Sequence, residues 1–276
     1  MKYLVLGSAG QIGGHLSGFL RQQGDTVLEY DLVTSPEQDL RKPSKLLIER
    51  MEQADFVVFL AFDVGGARYL KTYQHTFEFV SNNVKLMDNA FDALKLTRKP
   101  FIFASSQMSN MSYSSYGVLK ALGEYYARSL NGLIVKFWNV YGVEHDPEKW
   151  HAITDFIRKA QTKGRVEMMT DGHEMRQFLY ADDCCKALRL LSRPETYATM
   201  SREANLHITN FEWASILEVA QLVGEMMQVP VVPGQSADVV QKDLRNEPDR
   251  FLLQYWQPET SLREGIAHVI KAMTAA

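Results

Sequence analysis

Apolar and polar residues are distributed along the first half of the chain in two alternating kinds of block. Short, nearly uninterrupted apolar runs cover Lys2 to Leu6, Thr26 to Tyr30, Phe56 to Leu60, Phe101 to Ala104 and Leu133 to Trp138. Runs of this length read as strands buried on both faces. Between them, His15 to Gln23, Pro43 to Gln53, about Thr76 to Leu94 and Tyr116 to Leu130 carry helical spacing. Strands alternating with helices predict an α/β fold with a doubly wound parallel sheet. From about Asp146 the rhythm changes. A helix near Ile153 to Thr162 leads to a polar turn at Asp171-Gly172, then to another strand and helix. The remainder, punctuated by Pro230, Pro233, Gly234 and Pro248, reads as irregular.

The junction of the first strand and first helix carries chemistry. Gly7, Gly10 and Gly13 form a GxxGxxG loop directly after the apolar run, and a helix follows. Glycine permits a tight turn there and lets backbone approach a pyrophosphate, which then sits on the positive end of the helix. The second strand ends in Asp31, where a carboxylate would hydrogen-bond an adenosine ribose 2′-hydroxyl and repel a 2′-phosphate. No arginine follows it directly, so NAD is favoured over NADP. Strand, glycines, helix, strand and acid in this order predict a Rossmann-type dinucleotide-binding domain over residues 1–145. Residues 146–276 then form a smaller C-terminal substrate-binding lobe, with the strand near 175–180 returning to the first domain. In such folds ligands gather at the carboxyl ends of strands, where the Gly7 loop, Ser105-Ser106 and Asn139 all fall.

Composition narrows the partners. A net charge of -3 leaves no basic stripe to suggest nucleic acid, and 46% hydrophobic residues suffice for a globular core. The longest apolar runs are too short to cross a bilayer, and residues 1–6 already belong to a strand, which leaves no room for a signal peptide. Cys184 and Cys185 are adjacent, a spacing that disfavours a mutual disulfide and matches no metal site. The expected compartment is the reducing cytoplasm.

Tyr116 and Lys120 stand four residues apart in a helical segment and so share one face. An ammonium beside a phenol favours the phenolate, and is expected to lower a pKa that is about 10 when unperturbed. A phenol tuned in this way exchanges a proton with a sugar or alcohol oxygen. Ser105 and Ser106 end a strand upstream of this pair. Asp182-Asp183 precede a helix and read as N-capping carboxylates. His145 and His151 lie where the two lobes meet and are candidates for an extra acid or base.

Taken in order, the glycine loop, Asp39-Leu40, Phe101 to Ser106, Tyr116-x-x-x-Lys120, Phe137 to Gly142 and Arg176-Gln177-Phe178 resemble the extended short-chain dehydrogenase/reductase family. The likeness is strongest to its nucleotide-sugar epimerases, dehydratases and reductases, and covers nearly the whole length. It implies that Gly7, Gly10, Gln11, Ile12 and Gly13 hold the pyrophosphate of NAD and Asp31 the adenosine ribose. Asp39 and Leu40 would flank the adenine, and Leu60, Ala61 and Phe62 would line the dinucleotide path. Asn83 matches a helix position that reaches the cofactor. Lys120 would contact the nicotinamide ribose, with Phe137 and Trp138 packed near the nicotinamide. Ser106, Tyr116 and Lys120 would be catalytic, Ser106 also holding the substrate oxygen. Asn139 and Arg176 would bind the substrate, Arg176 by clamping a diphosphate with its bidentate fork. Arg245 is available as a second such arginine.

The departures from the family pattern shape the expected reaction. The ten-position step from Ser106 to Tyr116 is short for the family, which predicts an open or reshaped substrate wall. Gln107 and Met108 stand where dehydratases place an acidic pair, which argues against dehydration. The lack of a cysteine beside Ser106 weakens the match to the 3,5-epimerising subgroup. The leading expectation is an NAD-dependent nucleotide-sugar epimerase working through a 4-keto intermediate. An NAD(P)H-dependent keto-sugar reductase comes next. A non-catalytic dinucleotide sensor is the reading from another class, although a sensor has no need to retain Ser106, Tyr116 and Lys120 together. The resemblance further implies a homodimer through the helices flanking the sheet, including the one that bears Tyr116.

Overall fold

A computed structural model describes residues 1–236, 238, 240–241 and 246–275. The first half folds as β1 (Lys2–Leu6), α1 (Gln11–Gln22), β2 (Thr26–Tyr30), α2 (Lys45–Gln53), β3 (Phe56–Phe59), α3 (Ala67–Tyr73), α4 (Phe77–Thr97), β4 (Phe101–Ser106), α5 (Ser115–Ser129) and β5 (Leu133–Phe137). Next come β6 (Asn139–Tyr141), α6 (Ala152–Lys163), β7 (Val166–Glu167), β8 (Met175–Arg176), β9 (Phe178–Tyr180), α7 (Ala181–Ser192), α8 (Pro194–Thr199) and β10 (Leu206–Ile208). The chain finishes with β11 (Ala214–Ser215), α9 (Ile216–Met227), β12 (Val231–Val232) and α10 (Leu262–Thr274).

Six of these strands form one parallel sheet in the order β10-β5-β4-β3-β1-β2. The chain runs outward from β1 to β2, then returns to β1's other side as β3. That reversal is the topological switch point at which α/β sheets open a crevice. The sheet is buried on both faces, which is why its strands are uniformly apolar. One face packs Leu4, Leu6, Val57, Phe59 and Phe103 against the helices α2, α4 and α5. The other packs Tyr3, Val5, Val58, Ile102 and Val135 against α1 and α7. A separate core joins α6, α9 and α10 around Ile157, Val219, Val223 and Ile266, and forms the smaller lobe.

The sequence expectations for the first half agree with these elements to within a few residues, except that α3 was not anticipated and α1 starts earlier, at Gln11. The second half differs more. The strand expected near 175–180 to return to the first domain is β9, which pairs with β6 in a two-stranded sheet beside the main one. The strand that joins the main sheet is β10, beside β5. α7 and the 251–254 turn also pack on the main sheet, so the chain crosses between the lobes more than once rather than dividing at residue 145. The stretch read as irregular holds α9 and α10, each opened by a reciprocal capping box, Ser215 with Glu218 and Ser261 with Glu264. Asp182 and Asp183 lie inside the first turn of α7 rather than capping it. Asp183, fully buried, accepts the backbone N–H groups of Glu259 (3.0 Å) and Thr260 (2.7 Å) and so fastens the approach to α10. Both cysteines are free and buried on α7. Among the described residues no helix is long and apolar enough to cross a membrane.

Candidate active site

A cleft of about 1490 Å³ runs over the carboxyl ends of the sheet strands. Its cofactor-side floor is the glycine loop. Gly7 sits at φ +88°, and a Cβ there would stand 2.6 Å from the Ala61 nitrogen. A Cβ on Gly13 would stand 2.0 Å from the Gly7 carbonyl oxygen. The loop is therefore clamped between the first turn of α1 and the exit of β3, which leaves its backbone bare toward the cleft. No side chain caps α1, and no acidic residue lies in its first turn, so its leading N–H groups remain available to an anion. At the end of β2, Asp31 accepts hydrogen bonds from the Ala9 N–H (3.0 Å) and the Val33 N–H (2.9 Å), which fixes its carboxylate at the rim. Asp39 and Leu40 line the same end; Asp39 is held by Arg41 at 2.8 and 2.9 Å, and that pairing keeps its carboxyl below the usual range. A cradle that any added Cβ would fill, a helix N-terminus and a carboxylate at the β2 end fit a dinucleotide whose ribose is unphosphorylated.

Ser106, Tyr116 and Lys120 converge further along the cleft. Ser114 caps α5 by accepting the Gly117 N–H at 3.1 Å, which puts Tyr116 in the first turn. The short 3₁₀ turn at Gln107–Asn110 packs directly on that turn, because Gly117 has no side chain: a Cβ there would lie 2.2 Å from the Met108 carbonyl oxygen. This close approach brings Ser106 within hydrogen-bonding reach of the Tyr116 phenol. Lys120 is buried and donates to the Ala104 carbonyl at 2.7 Å, with its ammonium 3.8 Å above the centre of the Phe62 ring.

The electrostatics correct the expectation of a lowered tyrosine pKa. Burial pushes the Tyr116 phenol up to about 12, and its hydrogen bond with Ser106 returns only part of that rise. Burial likewise drives Lys120 down to about 7, against the pull of the Glu124 carboxylate. Desolvation thus outweighs the charge of a lysine one turn away.

A model of the NAD dependent epimerase/dehydratase family matches residues 3–199. The chain belongs to that family. It is 24% identical to an uncharacterised UDP-glucose epimerase of Bacillus subtilis (YtcB), a match covering 100% of this chain and 98% of that protein. In structure it is similar to an epimerase of Methanothermobacter thermautotrophicus, with a TM-score of 0.84, 20% identity, and 99% and 92% of the two chains covered. It is also similar to UDP-glucuronic acid 4-epimerase of Bacillus cereus, solved with UDP-glucuronic acid and NAD (TM-score 0.79, 22% identity, 100% and 99% covered). The family and the cradle agree on NAD as the cofactor, and the protein is an enzyme of the epimerase/dehydratase type.

Other expected site residues of this family member take more particular positions. Gln11 and Ile12 line the cleft; the Gln11 side chain donates to the Val140 carbonyl at 3.1 Å, so any contact to a pyrophosphate falls to its backbone. Leu60, Ala61 and Phe62 line the cleft from the loop leaving β3. Asn83 does not line the cleft. It is fully buried, accepting the Asp63 N–H (2.8 Å) and donating to the Asp63 carbonyl (3.1 Å), and thus holds the loop that follows Phe62. Its neighbour Asn82 is the one that reaches the cleft. Phe137 is buried at the end of β5, whereas the Trp138 ring packs on Trp213 and its Nε1 donates to His207 at 3.1 Å. Asn139 spends its amide N–H on the Gln177 carbonyl, at 3.1 Å, and keeps its carbonyl oxygen for other partners. Arg176 lines the cleft, held by Asp238 and by the Met175 carbonyl. Arg245 lies outside the described residues.

The wall expected to be open or reshaped is reshaped by residues from late in the chain. Tyr113 donates to the Gln241 carbonyl at 2.8 Å, and Asn246 donates to the carbonyl and side chain of Gln107 at 2.9 and 2.7 Å. Gln241 and Asn246 therefore reach the short Ser106–Tyr116 connection from late in the chain. Sequence reasoning also missed Glu144 and Asp63. Buried Glu144 accepts from the His151 backbone (2.9 Å) and pairs with its Nδ1 (2.7 Å); burial opposes the imidazolium, yet the carboxylate outweighs it and raises the His151 pKa. Asp63 accepts from the Tyr69 hydroxyl at 2.6 Å and faces Lys149 at 3.5 Å, which ties the loop after β3 to the segment that follows β6. Neither acid sits in a local motif, so their partners became visible only with the fold.

Proposed function

We propose that the chain is an epimerase of a nucleotide-activated sugar, acting through a 4-keto intermediate. The observation that carries this reading is one continuous cleft, lined at one end by the glycine cradle and Asp31, in the middle by Ser106, Tyr116 and Lys120, and beyond them by Asn139 and Arg176. At about 1490 Å³ it exceeds the roughly 300–1,000 Å³ of a pocket for a single drug-sized ligand, which suits a cofactor and substrate side by side. The names of the relatives, UDP-sugar epimerases among them, support the same substrate class.

The proposal gives each residue a role. Tyr116, as the phenolate that the positive charges of bound NAD and of Lys120 would favour, takes the proton of a ring hydroxyl held by Ser106, and later returns that proton to the keto oxygen. Lys120 orients the nicotinamide ribose. Arg176 exchanges Asp238 for a substrate diphosphate, an anion its fork matches bidentately. NAD, held by the glycine loop and Asp31, would supply the hydride-accepting and hydride-donating chemistry. Neither Gln107 nor Met108 brings a carboxylate beside Ser106, which favours epimerisation over water loss. Incubation with a panel of UDP-, GDP-, CDP- and dTDP-sugars and their 4-keto forms, with and without NADH, is expected to give a C4 epimer without net cofactor consumption. Stoichiometric NADH oxidation would replace this reading with keto-sugar reduction, and bound NAD with no turnover on the panel would favour the sensor.

The same reading includes a homodimer. Val118, Leu122 and Tyr125 form an exposed apolar stripe on α5 at helical spacing, and Val84 of α4 is exposed as well. A second copy of this chain is the proposed occupant. Leu122→Glu combined with Tyr125→Glu is expected to halve the mass seen by light scattering; an unchanged mass would place the interface elsewhere or leave a monomer.

A further inference from the structure

Lys120 occupies an awkward position for a charge. Its ammonium is buried, and among the described residues it donates one hydrogen bond, to a neutral acceptor, the Ala104 carbonyl, and touches no carboxylate. Glu124, one turn further along α5, is committed to Ser105 (2.6 Å), Lys136 (3.3 Å) and Arg128 (3.2 Å). Asp63, next to Phe62, is turned to Tyr69, Asn82 and Lys149. Tyr116, the remaining titratable neighbour on α5, is a neutral phenol at physiological pH. What does meet the ammonium is a set of three aromatic faces, the most distant being that of Tyr116, 5.9 Å from Nζ to the centroid. The Phe62 centroid lies 3.8 Å from Nζ and the Phe103 centroid 5.3 Å. Phe62 also meets the Tyr116 ring edge to face, at 5.7 Å.

We propose that Phe62 is a positioning residue whose π face holds the Lys120 ammonium charged and aimed at the nicotinamide ribose. This rests on the role assigned to Lys120 above and adds a residue to it. A cation over an aromatic face is attracted by the ring quadrupole, most strongly where water is excluded. The Phe62 ring reaches Lys120 from the loop after β3, which Asn83 pins through the Asp63 backbone. That loop couples the cofactor path to the proton-transfer pair.

The test uses the protein stripped of nucleotide, with NAD titrated from about pH 5 to about pH 10, a range that spans buried and free lysine. The Lys120 ammonium donates a stronger, charge-assisted hydrogen bond than the neutral amine does, so NAD affinity is full below its pKa and falls as pH rises through it. Phe62→Leu and Phe62→Met are expected to move that fall about one pH unit lower, close to tenfold in the protonation equilibrium. Phe62→Tyr, which keeps the ring, is expected to restore the wild-type profile. Lys120→Met is expected to flatten the profile. A loss of packing alone would weaken binding equally at every pH. Phe62→Leu and Phe62→Met profiles parallel to wild type, with Lys120→Met flat, would overturn the Phe62 inference while leaving Lys120 in place. A pH dependence that survives in Lys120→Met would remove the role of Lys120 and the inference with it.

Discussion

Tyr116→Phe is expected to bind NAD as the wild type does and to lose turnover by about 10²- to 10⁴-fold, the usual worth of a positioned general acid or base. The substitution deletes one oxygen and little else. The ring keeps its edge-to-face contact with Phe62 at 5.7 Å. Ser106 still accepts the Met108 N–H at 3.2 Å, and α5 keeps its Ser114 cap. Because burial already holds the phenol at about 12, the wild-type group starts neutral, so the loss does not come from a missing charge in the resting protein. Removing a buried hydroxyl whose polar neighbour is Ser106 costs on the order of 1 kcal/mol of stability, too little to unfold the chain. Two measurements separate the roles: the stoichiometry of bound NAD, and the single-turnover absorbance change on adding the nucleotide sugar found by the substrate panel. Bound NAD together with undiminished turnover would show that another group carries the proton. The His151–Glu144 pair, which also lines the cleft, would then be the next to test.

Legibility divided along the range of the interactions. The glycine loop, Asp31 and the Tyr116–Lys120 pair were readable because each is a local device: a turn, a strand end, one face of one helix. The main sheet was readable for the same reason, its strands being short apolar runs separated by helical ones. What failed depended on residues far apart in the chain. The Tyr116 pKa was expected to fall with Lys120 one turn away, but burial of both groups reverses the direction, and that burial is made by Phe62, Phe103 and Met108 arriving from other elements. The substrate wall was expected to be open or reshaped because the 107–115 connection is short; which residues reshape it, Gln241 and Asn246 more than a hundred residues later, was not legible. α9 and α10 are a different kind of miss. Their capping boxes, Ser215 with Glu218 and Ser261 with Glu264, are written in the sequence, but the prolines and glycine around 230–234 drew the reading toward loops. β10, three residues long, is a strand chiefly because β5 offers it an edge to pair with.

Gly13→Ala is expected to weaken NAD binding by two orders of magnitude or more, while Gly18→Ala, five residues on in the same helix, is expected to leave binding intact and stabilise the fold. The contrast isolates close approach from helix propensity, which favours alanine by about 1 kcal/mol at either site. At Gly18 a Cβ meets nothing within 4 Å. At Gly13 it would stand 2.0 Å from the Gly7 carbonyl oxygen, 2.8 Å from the Gly7 carbonyl carbon and 2.9 Å from the Ser8 Cα. Those atoms are backbone, so no rotamer change relieves the overlap. Gly7 cannot retreat either: it already holds a left-handed φ of +88° and lies against Ala61 at the exit of β3. The loop must therefore swing into the space a pyrophosphate would occupy, or α1 must lift off the sheet and give up the packing of Leu16 and Leu20. Overpacking of this kind costs about 1–3 kcal/mol or more, enough to lower the melting temperature by several degrees as well. Titration with NAD and a thermal melt of each variant read the two effects separately. If Gly13→Ala bound NAD like the wild type, the bare backbone of this loop would not be the surface that receives the cofactor, and the argument that places the pyrophosphate at the head of α1 would fall with it.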